Sequence, residues 1–138
     1  MPRIHRIPVM IIAVLSVALV SCGTPKSTTI PEELKGSWTL TWWNSTQELP
    51  DNKITLVIDG DEIFGNSTCN GYQSTLTVQK DAFRLGVIGT TFVLCTGELE
   101  STENTYLGLL KAVSRWRVAD GVLILSSRGA DSLRFSSL

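Results

Sequence analysis

From residue 34 onwards the chain is built of short segments whose apolar residues recur at every second position, and that period restricts it to a strand-rich fold. Trp38, Leu40 and Trp42 share one parity, with Thr39, Thr41 and Trp43 on the other. Ile54, Leu56 and Ile58 repeat the pattern ahead of Asp59-Gly60, a dipeptide suited to a tight hairpin. Further period-two runs fall at 72–78, 82–88, 91–95, 116–118, 122–125 and 133–135. One stretch departs from the rule. Leu99, Tyr106, Leu107, Leu110 and Val113 fall at helical spacing, with Glu98, Glu100 and Glu103 towards the start and Lys111 and Arg115 towards the end. Both charge placements complement a helix dipole, so 98–113 is expected to be a helix with the three carboxylates on its solvated face. Gly108 inside it is a mild defect. A lone amphipathic helix must lay its stripe on another element. The expected fold is therefore α+β, a small antiparallel β-barrel-like sheet of about eight or nine strands with one helix packed against it.

The N-terminus follows a different rule. Arg3 and Arg6 precede an almost wholly apolar run over 7–20. A helix needs about 20 residues to cross the ~30 Å hydrocarbon layer, so this run is too short to span and suits a secretory leader. Leu19-Val20-Ser21-Cys22 resembles the bacterial lipobox, in which cleavage before the cysteine accompanies attachment of diacylglycerol to its sulfur. Residues 1–21 are thus expected to be a lipoprotein signal peptide, Cys22 the lipidation site, and 22–33, with Pro25, Pro31 and a Ser/Thr run, a flexible tether. The expected location is the cell envelope, lipid-anchored to a bacterial membrane on the extracytoplasmic side, with the membrane as a partner through the anchor.

Composition narrows the chemistry. The only histidine, His5, lies in the leader, so the processed chain lacks the base of a Ser-His-Asp or Cys-His arrangement and the ligand of His-rich zinc sites. Twelve basic against thirteen acidic residues give no cationic excess, and nucleic acid is not an expected partner. Of three cysteines, Cys22 is assigned to lipid, which leaves Cys69 and Cys95. Outside the cytoplasm such a pair forms a disulfide by default, with two independent buried thiols as the alternative.

Several motifs occur in a familiar order. Leu34-x-Gly36-x-Trp38-x-Leu40, Cys69-Asn70-x-Tyr72, Thr91-x-x-x-Cys95, Glu103-x-x-Tyr106-Leu107-x-x-Leu110 and the closing strands from Trp116 to Phe135 together resemble the META/HslJ-like domain over 34–138. Val93 stands where that family usually has Met, Thr68 where Gly usually precedes the Cys-Asn pair, and Ser74 and Leu76 replace a usual Gly and aromatic. The resemblance implies a barrel-like sheet with one helix and a link to envelope stress, antibiotic tolerance or secretion, without established catalytic residues.

The candidate sites are few. Adjacent strand residues face opposite sides, so one ring of Trp42-Trp43 must lie near the surface, and Trp43 is the one expected there as part of a candidate binding surface. Asp59-Gly60-Asp61-Glu62 suits a turn better than a calcium loop, and Asn70-Gly71 is expected to be a turn, Asn70 being a residue that tolerates a left-handed backbone. Arg115 and Arg117 flank Trp116 as a solvated edge. No catalytic, cofactor or metal residues are expected. The sequence favours a monomeric, non-enzymatic envelope protein that binds or shields an envelope protein or cell-wall component. An inhibitor of a secreted enzyme such as lysozyme is the alternative, and a carboxylate-dependent cell-wall hydrolase a third. Intact mass of the native protein should lack residues 1–21 and carry lipid, whereas Cys22→Ala should leave the polypeptide unprocessed; a native chain that begins at Met1 without lipid would refute the anchor.

Overall fold

The computed structural model describes residues 29–51 and 53–138. A 3-10 turn, Glu32–Leu34, leads into β1 (Gly36–Trp43), β2 (Thr55–Asp59), β3 (Glu62–Asn66), β4 (Gly71–Gln79), β5 (Ala82–Leu85) and β6 (Gly89–Thr90). The helix α1 (Glu98–Ala112) follows, then β7 (Arg115–Ala119), β8 (Val122–Ser127) and β9 (Ala130–Ser137). All strand pairs are antiparallel, in the order β3-β2-β1-β9-β8-β7-β5-β4, and a further β3–β4 pairing closes these eight strands into a barrel. Strand β6 adds to β4 beyond the end of β5. The expected α+β barrel with one helix is what the chain forms.

Alternation builds the interior. Leu56 and Ile58 of β2, Ile63 of β3, Tyr72, Leu76 and Val78 of β4, and Leu123, Leu125, Leu133 and Phe135 of the last two strands all point inward and are buried. Asp59 pairs with Glu62 across Gly60-Asp61, with Gly60 at φ +56°, so the Asp-Gly dipeptide is the hairpin turn expected. The helix lies across the barrel end where β1 and β3 finish and β4 begins. Its buried residues Thr102, Tyr106 and Leu110 face the core, and Gln47, Ser67 and Tyr72 hydrogen-bond to it.

Three departures from simple alternation have local causes. Between Leu40 and Trp42 the β1–β9 register shifts, and this bulge reverses the parity. Trp43 is therefore buried, its indole N–H donating to Gln47 O at 2.8 Å, and Trp42 is the exposed ring; the expectation that Trp43 lies on the surface is corrected. At Gly86, whose N–H donates to Thr75 O, β5 ends and Val87 turns outward. A Cβ at Gly86 would sit 2.3 Å from Thr75 Oγ1, so a larger residue there would require the Thr75 hydroxyl to turn away. Finally, the run 91–95 is not a strand but an exposed loop beyond Thr90.

The folded domain also begins earlier than residue 34. Ile30 is buried in the core cluster, and Leu34 is fully buried with its carbonyl accepting the Trp38 indole N–H at 3.0 Å. Residues 30–33 thus belong to the domain. Cys22 and the leader lie outside the described residues.

One close approach sets the depth of the barrel. The phenol of Tyr72 donates to Thr55 O at 2.8 Å and lies 2.7 Å from the Tyr106 phenol, linking β2, β4 and α1 inside the core. The rings meet edge to face with centroids 5.6 Å apart. Burial raises the pKa of both phenols, that of Tyr106 further through its contact with Tyr72, so both stay protonated and serve as structure rather than as acid or base. Gly65 makes this fit possible, because a Cβ there would lie 2.0 Å from Thr55 O. Gly65→Ala should cost about 3 kcal/mol or more by displacing backbone, whereas Gly108→Ala, which places its methyl in open space on the exposed helix face, should gain about 1 kcal/mol. Denaturant midpoints of the two variants test the pair, and equal shifts would refute the packing.

Candidate functional site

The Cys69–Cys95 disulfide forms, with Cα atoms 6.1 Å apart, and ties the β3–β4 loop to the segment before the helix. Asn70 sits beside it, almost fully buried. Its side-chain Oδ1 accepts from Val93 N at 2.8 Å and Thr91 Oγ1 at 3.0 Å. Its Nδ2 donates to Glu103 Oε1 at 2.9 Å and lies within reach of Val93 O at 3.3 Å and Cys95 Sγ at 3.1 Å. The backbone N–H of Asn70 donates to Glu103 Oε2 at 2.8 Å. A neutral amide, with two donors and a two-lone-pair acceptor, can serve a carboxylate and a loop backbone at once. An aspartate there would set a second negative charge against Glu103.

Glu103 is the partner the sequence misassigned. It does not join Glu98 and Glu100 as a solvated dipole partner but turns inward onto the β3–β4 loop, where Ser67 Oγ also lies 2.7 Å from Oε2. Partial burial works against its charge and is outweighed by hydrogen bonds from the side chains of Ser67 and Asn70 and the backbone N–H groups of Asn70 and Cys69. Its carboxyl is therefore held below the ordinary glutamate range. Glu103 lies near both sulfurs, but those sulfurs are bonded to each other and offer no thiolate to a metal.

The left-handed residue of this loop is Thr68, at φ +103°, rather than Asn70. A β-branched side chain is strained there, and the Thr68 hydroxyl is buried without a partner among the described residues. This is the position at which the family resemblance places glycine, the one signal in the sequence that could have located the strain.

The clamp holds a loop whose apolar side chains face water. Phe92 is 100% exposed, Leu94 84% and Val93 58%, although Val93 N is pinned to Asn70. Beside the loop, the outer faces of β3, β4 and β6 form two adjoining grooves of about 340 and 350 Å³. Phe64, Gln73 and Gly89 line both and occupy one cross-strand row; Glu62 and Val87 line the first, Gly71 and Thr91 the second. Val87 is 94% exposed.

Trp42 lies elsewhere, on the β1–β9 face, where the Arg134 guanidinium stands 4.6 Å from its ring centroid. Arg134 and Arg117 converge on Asp131, and Arg115 pairs with Asp81. The arginines flanking Trp116 are thus an exposed, internally paired edge. The structure does not bring Trp42 and Trp43 together into one surface, nor either of them to the Phe92 loop.

Together these features define a small disulfide-stapled barrel capped by one helix. The META domain family model matches residues 32–138, and the chain belongs to that family. It is similar to an NMR structure of a protein from Burkholderia xenovorans, at 24% identity and TM-score 0.64, over 75% of this chain and 82% of that one. A second NMR structure of a protein gives 16% identity and TM-score 0.56 over 75% of this chain and 89% of that one. At these identities the likeness is one of fold. No curated protein matches the chain.

Two outcomes test the clamp. Thr68→Gly should raise stability by about 1 kcal/mol in urea unfolding, through relief of the left-handed strain; a loss would refute it. Because the pKa of Glu103 is lower folded than unfolded, the carboxylate stabilises the fold above the ordinary value of 4.5 and loses that contribution as pH falls below it. The stability difference between wild type and Glu103→Gln should therefore be largest at neutral pH and shrink below about pH 4.5; a difference independent of pH would exclude the ionised clamp.

Proposed function

We propose that this chain is a membrane-anchored bacterial envelope lipoprotein whose META domain binds or shields another envelope component without catalysing a reaction. The observation that carries the binding part is the Phe92-Val93-Leu94 loop. Burying a side chain such as Phe or Leu is worth about 1.5–3 kcal/mol, yet this loop forgoes that gain while a disulfide and Asn70 fix its base. An apolar group held fixed in water has part of its ordering cost met before a partner arrives, which favours recognition over accident. The non-catalytic part rests on chemistry. The processed chain has no histidine, the buried phenols are held neutral, and the carboxylate at the clamp is engaged by its own loop. The anchor rests on the leader and Cys22. No helix among the described residues is long and apolar enough to cross a membrane.

The link to envelope stress, antibiotic tolerance or secretion belongs to the same reading and comes from the family resemblance. A photo-crosslinking residue at position 92, compared in intact cells with one at Asp120 in the β7–β8 turn, tests the binding surface. A discrete adduct to an envelope component is expected from position 92 and should weaken in a Cys69→Ser/Cys95→Ser variant. No adduct at 92, or the same adduct from both positions, would overturn the reading.

A further inference from the structure

Carboxylates outnumber basic residues in the segments that supply the grooves and the exposed loop. Residues 54–79 and 85–110, which supply β2, β3, β4, β6, the Phe92 loop and most of α1, contain Glu98, Glu100 and Glu103 next to the loop and Asp59, Asp61 and Glu62 at the β2–β3 turn, with basic residues only at their margins, at Lys53, Lys80, Arg84 and Lys111. Glu103 is spent within the clamp, but Glu62 is exposed and lines a groove with Phe64 and Val87. Glu98 and Glu100 are exposed in the first turn of α1, immediately after the loop. Arg115 and Arg117 of β7 and Arg134 of β9 are paired with Asp81 and Asp131, Arg128 lies in the β8–β9 turn, and Arg84 of β5 is exposed opposite Thr77 of β4, past the residues that line the grooves. Exposed Phe92, Leu94 and Val87 thus share this side of the barrel with Glu62, Glu98 and Glu100, which form no salt bridge among the described residues.

Resting on the binding function proposed above, we infer that the occupant of this face is a cationic amphipathic polypeptide segment, with apolar side chains against Phe92, Leu94, Val87 and Phe64 and basic ones against Glu62, Glu98 and Glu100. Complementary charge selects it over the alternatives. An anionic bilayer presents the same sign as this face and is repelled by it. Apolar contact holds the segment and the carboxylates steer and orient it, so both are needed. Strand β6 ends the sheet and pairs with β4 alone among the strands, which leaves its outer edge beside the same groove for an extended backbone.

The test uses the full chain in phosphatidylcholine nanodiscs and a fluorescein-labelled peptide of alternating Lys and Leu, read by anisotropy. Binding should be saturable and should weaken steeply as salt is raised. Phe92→Ser/Leu94→Ser should weaken it at least about tenfold, and Glu62→Gln/Glu98→Gln/Glu100→Gln should do the same while removing most of the salt dependence. These side chains are exposed, so the variants should keep the wild-type circular dichroism. Equal binding of a Glu-Leu or a Lys-Ser peptide, or no effect of Phe92→Ser/Leu94→Ser, would overturn the inference. Capture of phosphatidylglycerol vesicles through Phe92, or self-association of the chain through it, would overturn it in favour of a lipid or a second copy. If the Lys-Leu peptide fails to bind while position 92 still crosslinks an envelope component in cells, the cationic partner is refuted and the binding function stands.

Discussion

The amide of Asn70 is the joint on which three separate pieces of the molecule depend. Its backbone closes the β3–β4 loop, its Nδ2 and N–H hold the Glu103 carboxylate on α1, and its Oδ1 holds Thr91 and Val93 before the helix. Removing one member of such a buried network leaves the rest unsatisfied, at a cost of about 1–3 kcal/mol per orphaned group. The adjacent disulfide supports the same joint from the unfolded side. Closing a loop of 26 residues is worth about 3.5 kcal/mol in chain entropy. The covalent staple limits how far the segments can separate, and the amide decides where they meet.

Below that joint, the Tyr72–Tyr106–Thr55 chain fixes the helix against the barrel. It places polar atoms deep in the core and satisfies them with one another, and the missing side chain at Gly65 lets β2 approach. The cap, the staple and the phenol pair converge on one end of the barrel. That convergence lets an exposed loop of Phe, Val and Leu keep its shape instead of collapsing onto the core.

Most of the architecture was legible because period-two and period-3.6 patterns are written directly into side-chain polarity. The strands around Leu56, Leu76, Leu123 and Phe135 and the helix around Tyr106 and Leu110 follow from them. Alternation fails where the backbone inserts a residue. The bulge after Leu40 exchanged the faces of Trp42 and Trp43, and Gly86 turned Val87 outward, neither of which is visible in polarity. The run 91–95 has the β-branched, apolar content of a strand, but β4, which pairs with β6, begins at Gly71 and offers nothing beyond Thr91, and the clamp holds the run as a loop. Glu103 looked like Glu98 and Glu100 because charge at a helix start has one local explanation, and its second partner lies 33 residues away. Counting left Cys69 and Cys95 as a pair, with two independent thiols as the alternative, and the 6.1 Å approach of their Cα atoms joins them. The left-handed Thr68 was accessible only through the glycine that the family resemblance places there.

The two ends of the described chain also meet. Trp38 pairs with Ser137, the N–H of Leu138 donates to Ser37 O, and Ile30 shares a cavity with Gly60 at the β2–β3 turn. Head and tail therefore leave from the same pole, opposite the one that α1 caps. A fluorescent protein or affinity handle appended after Leu138 would hang beside the Thr29 end of the domain, and the far pole would stay unobstructed for whatever approaches it.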